Sequence, residues 1–167
     1  MKRALALTLL AALAACSSRE SREAVAGVSL LENFSMAESS AGSSRWRLDS
    51  ALGRLDEKKG VIVFEGPRIK FYDRGRITSE ITARSGVLQM KDKSAELTND
   101  VVIDAKRDGM RLKTTKLYYS SARGKIWTEE PVTIHKGRTV ITGRGFTANP
   151  DLSEIEIQRQ ETRLSGT

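Results

Sequence analysis

The stretch LKTTKLYYSSARGKIWTEEPVTI, from Leu112 to Ile134, alternates apolar and polar residues on both sides of a break at Arg123-Gly124. An alternation of period two is typical of a β-strand that buries one face, and a glycine-containing break between two such runs is typical of a tight turn. The stretch therefore predicts two antiparallel strands joined by a hairpin, and it contains no recognisable catalytic motif.

The same alternation continues in both directions, from about residue 28 to about residue 163. Its segments are separated by short breaks made of residues that favour turns. The other breaks are Ser43-Ser44, Lys59-Gly60, Asp73-Arg74-Gly75, Asp92-Lys93, Asp108-Gly109, Lys136-Gly137 and Asn149-Pro150-Asp151. No helical period of ten or more residues follows the first fifteen, so the sequence predicts a single all-β, antiparallel domain.

The alternating segments also recur at intervals of about thirty residues. Two sets of landmarks keep this spacing: Leu48, Ile81, Leu112 and Ile141 at intervals of 33, 31 and 29 residues, and Pro67, Asp100 and Pro131 at intervals of 33 and 31. A repeat this short cannot bury its own apolar face, so the repeats predict a rolled or stacked sheet. A plain β-meander with hairpins of similar length would give the same intervals and remains an alternative.

The alternation assigns one face of each strand to the interior of the sheet. The predicted interior residues, which are also the candidates for contact with an apolar ligand, are Ile62, Phe64, Ile69, Phe71, Ile81, Val101, Ile103, Leu112, Leu117, Ile126, Val132, Ile134, Ile141, Phe146, Ile155 and Ile157. Val102 is a further candidate, and the faces of Val102 and Phe146 depend on the strand register, because a shift of one residue would turn either side chain outward. The interior could be a packed core or a groove that accepts an apolar ligand.

The first fifteen residues are typical of an export signal, because Lys2 and Arg3 precede an apolar run that is too short to span a bilayer. The only cysteine of the chain, Cys16, follows Leu13-Ala14-Ala15 and matches the bacterial lipobox. This match predicts that residues 1–15 are removed and that Cys16 is lipidated. Residues 16–27 would then form a lipidated tether, residues 28–163 the domain and residues 164–167 a tail. An ordinary cleavage site beside an incidental cysteine is the alternative.

The composition favours an anionic partner. Loss of residues 1–15 lowers the number of Lys and Arg residues from 28 to 26 against 21 Asp and Glu residues, so the formal net charge falls from +7 to +5. A basic protein favours nucleic acid, a phospholipid surface or a phosphorylated glycolipid. Export and the lack of any long basic run argue against nucleic acid.

The residues that most exported enzymes need are scarce in this sequence. The only histidine, His135, falls on the polar face of its segment, and the mature chain would have no free thiol, so no zinc site of the usual kind can be assembled. Glu129 and Glu130 are adjacent, and neighbouring residues of a strand point to opposite faces, so they would not converge as an acid–base pair. We therefore predict a protein that is not an enzyme and that uses no metal or other cofactor.

Between about Leu31 and Arg163 the sequence resembles the LptC family, the periplasmic component of lipopolysaccharide export. The resemblance depends on the pattern L-x-T-x-x-L-x-Y in residues 112–119, I-x-T-x-x-P-V-x-I in residues 126–134 and I-x-G-x-G in residues 141–145, in this order and spacing. It implies a twisted, V-shaped antiparallel β-jellyroll of the OstA/LptA type, built here from repeats of about 30 residues. In this family the apolar interior holds the acyl chains of lipid A, which makes lipopolysaccharide the implied ligand.

The resemblance also implies protein partners and a location. Edge-to-edge strand addition would join the protein to the permease subunits of an inner-membrane ABC transporter and to an LptA-like periplasmic bridge protein. The location would be the periplasm of a Gram-negative bacterium. The family favours the inner membrane. Many members are held there by an uncleaved transmembrane helix, so a lipid anchor on Cys16 is a departure, and Ser17 after it is no obvious inner-membrane retention signal, which leaves the outer membrane as an alternative.

Two other functions remain as alternatives to a lipid conduit. The first is a non-catalytic structural lipoprotein with the same sheet, a closed core and no bound lipid. The second is an exported hydrolase, which the counts of histidine and of paired carboxylates argue against.

Overall fold

The computed structural model describes residues 27–40 and 42–164, and these residues form twelve β-strands and no helix. The strands are β1 (Val28–Ser40), β2 (Ser43–Asp56), β3 (Val61–Glu65), β4 (Arg68–Asp73), β5 (Arg76–Thr82), β6 (Ser85–Gln89), β7 (Ser94–Ala105), β8 (Arg111–Ser120), β9 (Lys125–Lys136), β10 (Thr139–Ala148), β11 (Ile155–Ile157) and β12 (Glu161–Leu164). The strands pair antiparallel throughout, which confirms the predicted fold class.

Two features of the sequence lie outside the described residues. The signal segment and Cys16 belong to residues 1–26, so the removal of the signal and the lipidation of Cys16 stay predictions. In the part of the chain that is described, no helix is long and apolar enough to cross a membrane.

The long strands divide into halves that pair with different neighbours, and this division creates two layers. The first half of β2 pairs with β4, and its second half pairs with β3. In the same way, β7 pairs first with β6 and then with β5, and β10 pairs first with β12 and then with β11. The first layer therefore contains β4, β5 and β12, the second layer contains β3, β6 and β11, and the long strands run through both.

The strands bend where they pass from one layer to the other, and the bends lie side by side. Gly66 and Pro67 separate β3 from β4, while Asn99 and Asp100 interrupt the pairing of β7. The Gly66 N–H donates to the carbonyl of Arg84 at 2.8 Å, and the Arg84 N–H donates to the carbonyl of Asn99 at 2.9 Å. Asn99 and Asp100 have φ values of 63° and 50°, a conformation that Asn and Asp tolerate better than most residues. The landmarks at Pro67 and Asp100 thus mark bends.

The other set of landmarks belongs to a continuous row of apolar residues across the first layer. Directly paired along this row are Met36, Leu48, Ile69, Ile81, Ile103, Leu112, Ile134 and Ile141, on eight successive strands. Such cross-strand pairs stabilise a sheet. The landmarks are every second residue of this row. The chain needs about thirty residues to pass from one landmark, through the other layer, to the next landmark two strands further along the row.

Phe64 occupies the middle of the second layer, and one of its two glycine neighbours makes room for its ring. Gly53 and Gly86 are its cross-strand neighbours. A Cβ on Gly86 would lie 2.4 Å from Cε2 of Phe64 and 2.8 Å from Cδ2 of Leu97. The ring therefore fills the space that a side chain at Gly86 would otherwise take, and it is only 1% exposed.

Candidate functional site: the apolar interior and its mouth

The space between the two layers contains most of the predicted interior residues. Those that are at most 7% exposed are Ile62, Phe64, Ile69, Phe71, Ile81, Val101, Ile103, Leu112, Leu117, Ile126, Val132, Ile134 and Phe146. Ile141 and Ile157 are partly buried and pack against this core. The alternation in the sequence therefore assigned these faces correctly, and contact with lipid stays a prediction.

Two predicted positions lie outside the buried interior. One faces inward but is not covered, and the other faces outward. The interior position predicted for Ile155 is wrong, because this side chain is 39% exposed. Ile155 pairs with the buried Ala148, but β11 is the outermost strand of its layer and no described strand covers its far side. Val102 lies on the outer face of β7, since Val101 and Ile103 on either side of it are completely buried.

Sequence reasoning missed several residues of the interior. Leu97 and Leu88 are 2% and 5% exposed, and the alternation in their own strands could have identified them. Met110 and Leu152 are 5% and 4% exposed but lie outside the strands, where no periodic pattern announces burial. Their positions depend on how the loops fold back over the ends of the layers.

The interior is packed rather than open. The cavity that remains between the layers has a volume of about 20 Å³ and lies among residues such as Leu48, Ile69, Leu88 and Leu97. A volume of that size holds about one water molecule, whereas sites for drug-sized ligands occupy roughly 300–1,000 Å³. An acyl chain therefore fits between the layers only when they separate.

The interior is less completely covered at one end, which we call the mouth and define by Trp46, Phe71 and Tyr119. Trp46 and Phe71 are 8% and 6% exposed, compared with 0% for Leu112. The rings of Phe71 and Tyr119 meet edge to face across the two layers, with centroids 5.5 Å apart and an interplanar angle of 61°. Tyr119 is half-buried, and burial raises the pKa of its phenol.

A carboxylate from the edge strand ties the mouth shut. Glu38 of β1 accepts hydrogen bonds from Nζ of Lys93 at 2.7 Å, from Nε1 of Trp46 at 2.7 Å and from Oγ of Ser121 at 3.3 Å. Lys93 and Ser121 belong to turns of the second layer, whereas Trp46 belongs to the first half of β2. Glu38 therefore joins β1 and both layers, and we call this set of contacts the Glu38 clasp.

Electrostatics keep the Glu38 clasp intact near neutral pH. The hydrogen bond from Lys93 lowers the pKa of Glu38 below its usual 4.5, an effect that burial opposes and that Trp46 and Ser121 reinforce. Because the pKa is lowered in the folded state, the stabilisation is complete above the unfolded-state pKa and is lost as the pH falls through the folded-state value. Only acid below about pH 4.5 would protonate Glu38 and weaken the clasp.

The edge strand β1 is also attached through Phe34, and this attachment gives a prediction. A Cβ on Gly53 would lie 2.5 Å from Cε1 and 2.9 Å from Cζ of Phe34. The variant Gly53→Ala is therefore expected to push Phe34 and β1 away from β2 while the two layers stay folded. Amide hydrogen exchange should become at least tenfold faster in residues 28–38, which corresponds to about 1.4 kcal/mol of local stability.

A second substitution checks the cause of this effect. The double variant Gly53→Ala with Phe34→Leu shortens the obstructing side chain and should restore much of the protection of β1. Equal loosening of β1 and of β9 in the single variant would show instead that Gly53 supports the whole sheet.

The residues considered for catalysis do not form a site. His135 is exposed at the end of β9, Glu129 is exposed, and Glu130 is half-buried beside it. Across residues 27–40 and 42–164, no group of three or more His, Cys, Asp and Glu side chains is placed to hold a metal ion. The main chemical character of the described domain is therefore an apolar interior between two polar faces.

This arrangement of two layers agrees with a family comparison. The family model described as "Lipopolysaccharide-assembly, LptC-related" matches residues 4–163. The chain belongs to the LptC family. Membership assigns this LptC protein a role in lipopolysaccharide transport, and the resemblance noted in the sequence is confirmed.

A solved structure has a similar fold. The LptC chain is similar to the crystal structure of LptH, described as the LptA homologous periplasmic component of the conserved lipopolysaccharide transport device from Pseudomonas aeruginosa. The TM-score is 0.54 at 8% sequence identity, and the match covers 83% of this chain and 95% of LptH. At this identity the likeness shows the fold alone, an LptA-like β-jellyroll. No curated protein sequence matches the chain significantly.

Proposed function

We propose that this LptC protein receives lipopolysaccharide from the permease subunits of an inner-membrane ABC transporter and passes it to an LptA-like bridge protein. The acyl chains of lipid A would lie in the apolar interior during the transfer. The observation that carries the proposal is the continuous row of apolar residues, which crosses the first layer from Met36 of β1 to Ile141 of β10. The row begins on the edge strand β1 and ends on β10, which is the neighbour of the edge strand β12.

The two edges suit the attachment of partners. In the described part of the chain, no strand pairs with the outer side of β1, which is thirteen residues long. At the opposite edge, β11 and β12 are short and also lack an outer partner among the described strands. An unpaired edge is an aggregation hazard unless a partner adds a strand to it. We propose that the transporter and the bridge protein each add to one of these edges, so that the apolar row continues from protein to protein.

The closed interior requires an opening step in this mechanism. Entering acyl chains would separate the layers at the mouth and replace contacts between side chains with contacts to lipid. Apolar contacts of similar area exchange at little net free energy, because both arrangements keep apolar surface away from water. The family membership and the net positive charge of the mature chain support a phosphorylated glycolipid as the ligand.

The proposed location follows from the family and from the sequence before the domain. We propose that the protein works in the periplasm of a Gram-negative bacterium and is anchored by a lipid on Cys16, with the inner membrane as the favoured site. The protein would act by binding and transfer alone, without catalysis, metal or cofactor. An action by binding and transfer alone agrees with membership of the LptC family, whose proteins are components of lipopolysaccharide transport.

Photo-crosslinking tests the proposal. A photoreactive residue placed at Phe71 or at Ile134, which are 6% and 1% exposed, is expected to capture lipopolysaccharide in cells. Thr133 and Glu156 on the outer face serve as matched controls and should capture none. Capture at Phe71 should precede capture at Ile134 after transport is started, because Phe71 lies at the mouth.

One observation favours a second candidate function. The cavity of about 20 Å³ fits a structural or interaction lipoprotein whose core stays closed and binds no lipid. The same experiment separates the two functions. Folded probe variants that bind the partner proteins and support export, yet give no crosslink from any inward position, would leave only the closed-core protein.

A further inference from the structure

The Glu38 clasp has the composition of an anion-binding site that is occupied by the protein's own carboxylate. Three donors of different kinds, an ammonium, an indole N–H and a hydroxyl, converge on one carboxylate group. Charge-assisted hydrogen bonds of this kind are roughly twice as strong as neutral ones. The same donors would suit a phosphate group, which offers more acceptor oxygens and more negative charge than a carboxylate.

The position of these donors connects them with the apolar interior. Trp46 and Tyr119 line both the mouth and the cavity behind it, so an amphiphile with its chains in the cavity would leave its polar head at the mouth. The side chain of Glu38 is only 17% exposed, and in the described structure its carboxylate accepts the hydrogen bonds of these donors. The carboxylate therefore occupies the position that such a head group would need.

A second cation lies at the mouth and has no anionic partner within the described part of the chain. Arg45, next to Trp46 on β2, is exposed and forms no ion pair with any of the described residues. It lies close enough to Tyr119 to lower the pKa of the phenol, as does Lys93, although the effect of burial is larger. Displacement of Glu38 would therefore leave two cations, Lys93 and Arg45, facing an incoming head group.

We propose that Lys93, Trp46 and Ser121 form a phosphate subsite for the head group of an acylated lipid, and that Glu38 holds this subsite until the lipid displaces it. The inference rests on the proposed function and adds a site to it. Because Glu38 belongs to β1, its displacement releases one attachment of the edge strand. Phosphate binding and opening of the mouth are thereby coupled.

Binding measurements on the full-length protein, purified in a maltoside detergent that contains no phosphate, test the subsite. The probes are a deep-rough lipopolysaccharide with phosphorylated lipid A and the same lipid after removal of its phosphates. The variant Glu38→Gln removes the competing charge and is expected to bind the phosphorylated lipid about fivefold more tightly. The variant Lys93→Gln is expected to bind it about tenfold more weakly. Both variants should change the affinity for the dephosphorylated lipid clearly less, because only the loosening of the mouth, and not the contact with phosphate, acts on that lipid.

The outer face of the second layer offers a matched pair of controls. Lys116 and Glu96 form an ion pair of 2.9 Å there, with exposures similar to each other, and neither residue belongs to the Glu38 clasp. Glu96→Gln and Lys116→Gln make the same changes in net charge and should leave both affinities unchanged. A gain in Glu96→Gln equal to that in Glu38→Gln would overturn the proposal, since the effect would then be one of total charge.

The indole N–H signal of Trp46 reports on the subsite directly. The chain has only two tryptophans, so this signal can be assigned by NMR with a single substitution, Trp127→Phe. A shift of the signal caused by the phosphorylated lipid but not by inorganic phosphate would support the subsite with the lipid as its source of phosphate. A shift caused by both would support the subsite with free phosphate as a second ligand. No shift with either would overturn the proposal.

The failure of the subsite and the failure of the proposed function have different signatures. If folded wild-type protein binds both lipids and Glu38→Gln strengthens both equally, Glu38 only restrains β1 and the subsite is refuted, while the conduit stands. If folded wild-type protein binds neither lipid, the proposed function itself fails. Thermal unfolding of each variant within a few degrees of the wild type verifies that the comparison is between folded proteins.

Discussion

Replacement of Ile134 by arginine is expected to unfold the domain. Ile134 is 1% exposed and lies between Leu112 and Ile141 in the apolar row of the first layer. The cavity in the core has room for about one water molecule and cannot hydrate a guanidinium group. A buried charge without a partner costs about 3–5 kcal/mol or more, a large part of the 5–15 kcal/mol that stabilises a typical domain.

Urea unfolding followed by circular dichroism measures this effect, with Thr133→Arg as the matched control. Thr133 is the neighbour of Ile134 on the outer face, opposite Lys113, so the control should lose no more than about 1 kcal/mol. Phe71→Arg should fall between the two, because Phe71 lies at the mouth, where the arginine head can reach water. An Ile134→Arg protein of nearly native stability would mean that the interior opens to water far more readily than its packing indicates.

The variant Gly86→Ala is expected to have the next largest effect. Gly86 does not have a positive φ, so the substitution causes no backbone strain and tests packing alone. The new Cβ would lie 2.4 Å from the ring of Phe64 and 2.8 Å from Leu97, both of which are at most 2% exposed. Overpacking of a core typically costs about 1–3 kcal/mol, and the cavity beside Leu97, with a volume of about 20 Å³, offers little space for the displaced side chains.

A double-mutant cycle identifies the cause of this loss. Phe64→Leu combined with Gly86→Ala should lose less stability than the sum of the two single variants, because leucine removes the ring that the new methyl group meets. Gly75→Ala provides a contrast, since nothing lies within 4 Å of its Cβ and its φ of 76° alone should cost about 1 kcal/mol. If the losses of unfolding free energy in the two single variants simply add up in the double variant, the destabilisation does not come from contact with the Phe64 ring.

The alternation of residues predicted the strands and their faces well, and it failed where burial depends on the surroundings. Ile155 has the correct alternation but lies in an outermost strand, so its inward face remains uncovered. Leu152 belongs to no alternating segment, yet it is only 4% exposed. Its loop folds back over the end of the first layer, where the carbonyl of Pro150 accepts a hydrogen bond from Ser79. Local periodicity reports the face of a residue and not what lies opposite that face.

For polar residues too, the sequence pattern does not show which residues meet in the fold, and the Glu38 clasp is an example. Glu38 contacts Lys93 and Ser121, which are 55 and 83 residues away along the chain. In the sequence each of the three looks like an ordinary surface residue of a strand or turn. Only the stacking of the two layers brings them together.

The sequence by itself determined the class of fold, the period of the sheet and the family, because each depends on residue types at fixed short spacings. Alternation decides which face is apolar, and glycine and asparagine decide where the chain can turn. The tertiary structure alone decided that long strands divide between two layers, that the interior is closed and that Glu38 holds the mouth. These features depend on which strands meet across dozens of residues and on how completely side chains fill the space between layers, and no local pattern encodes either quantity.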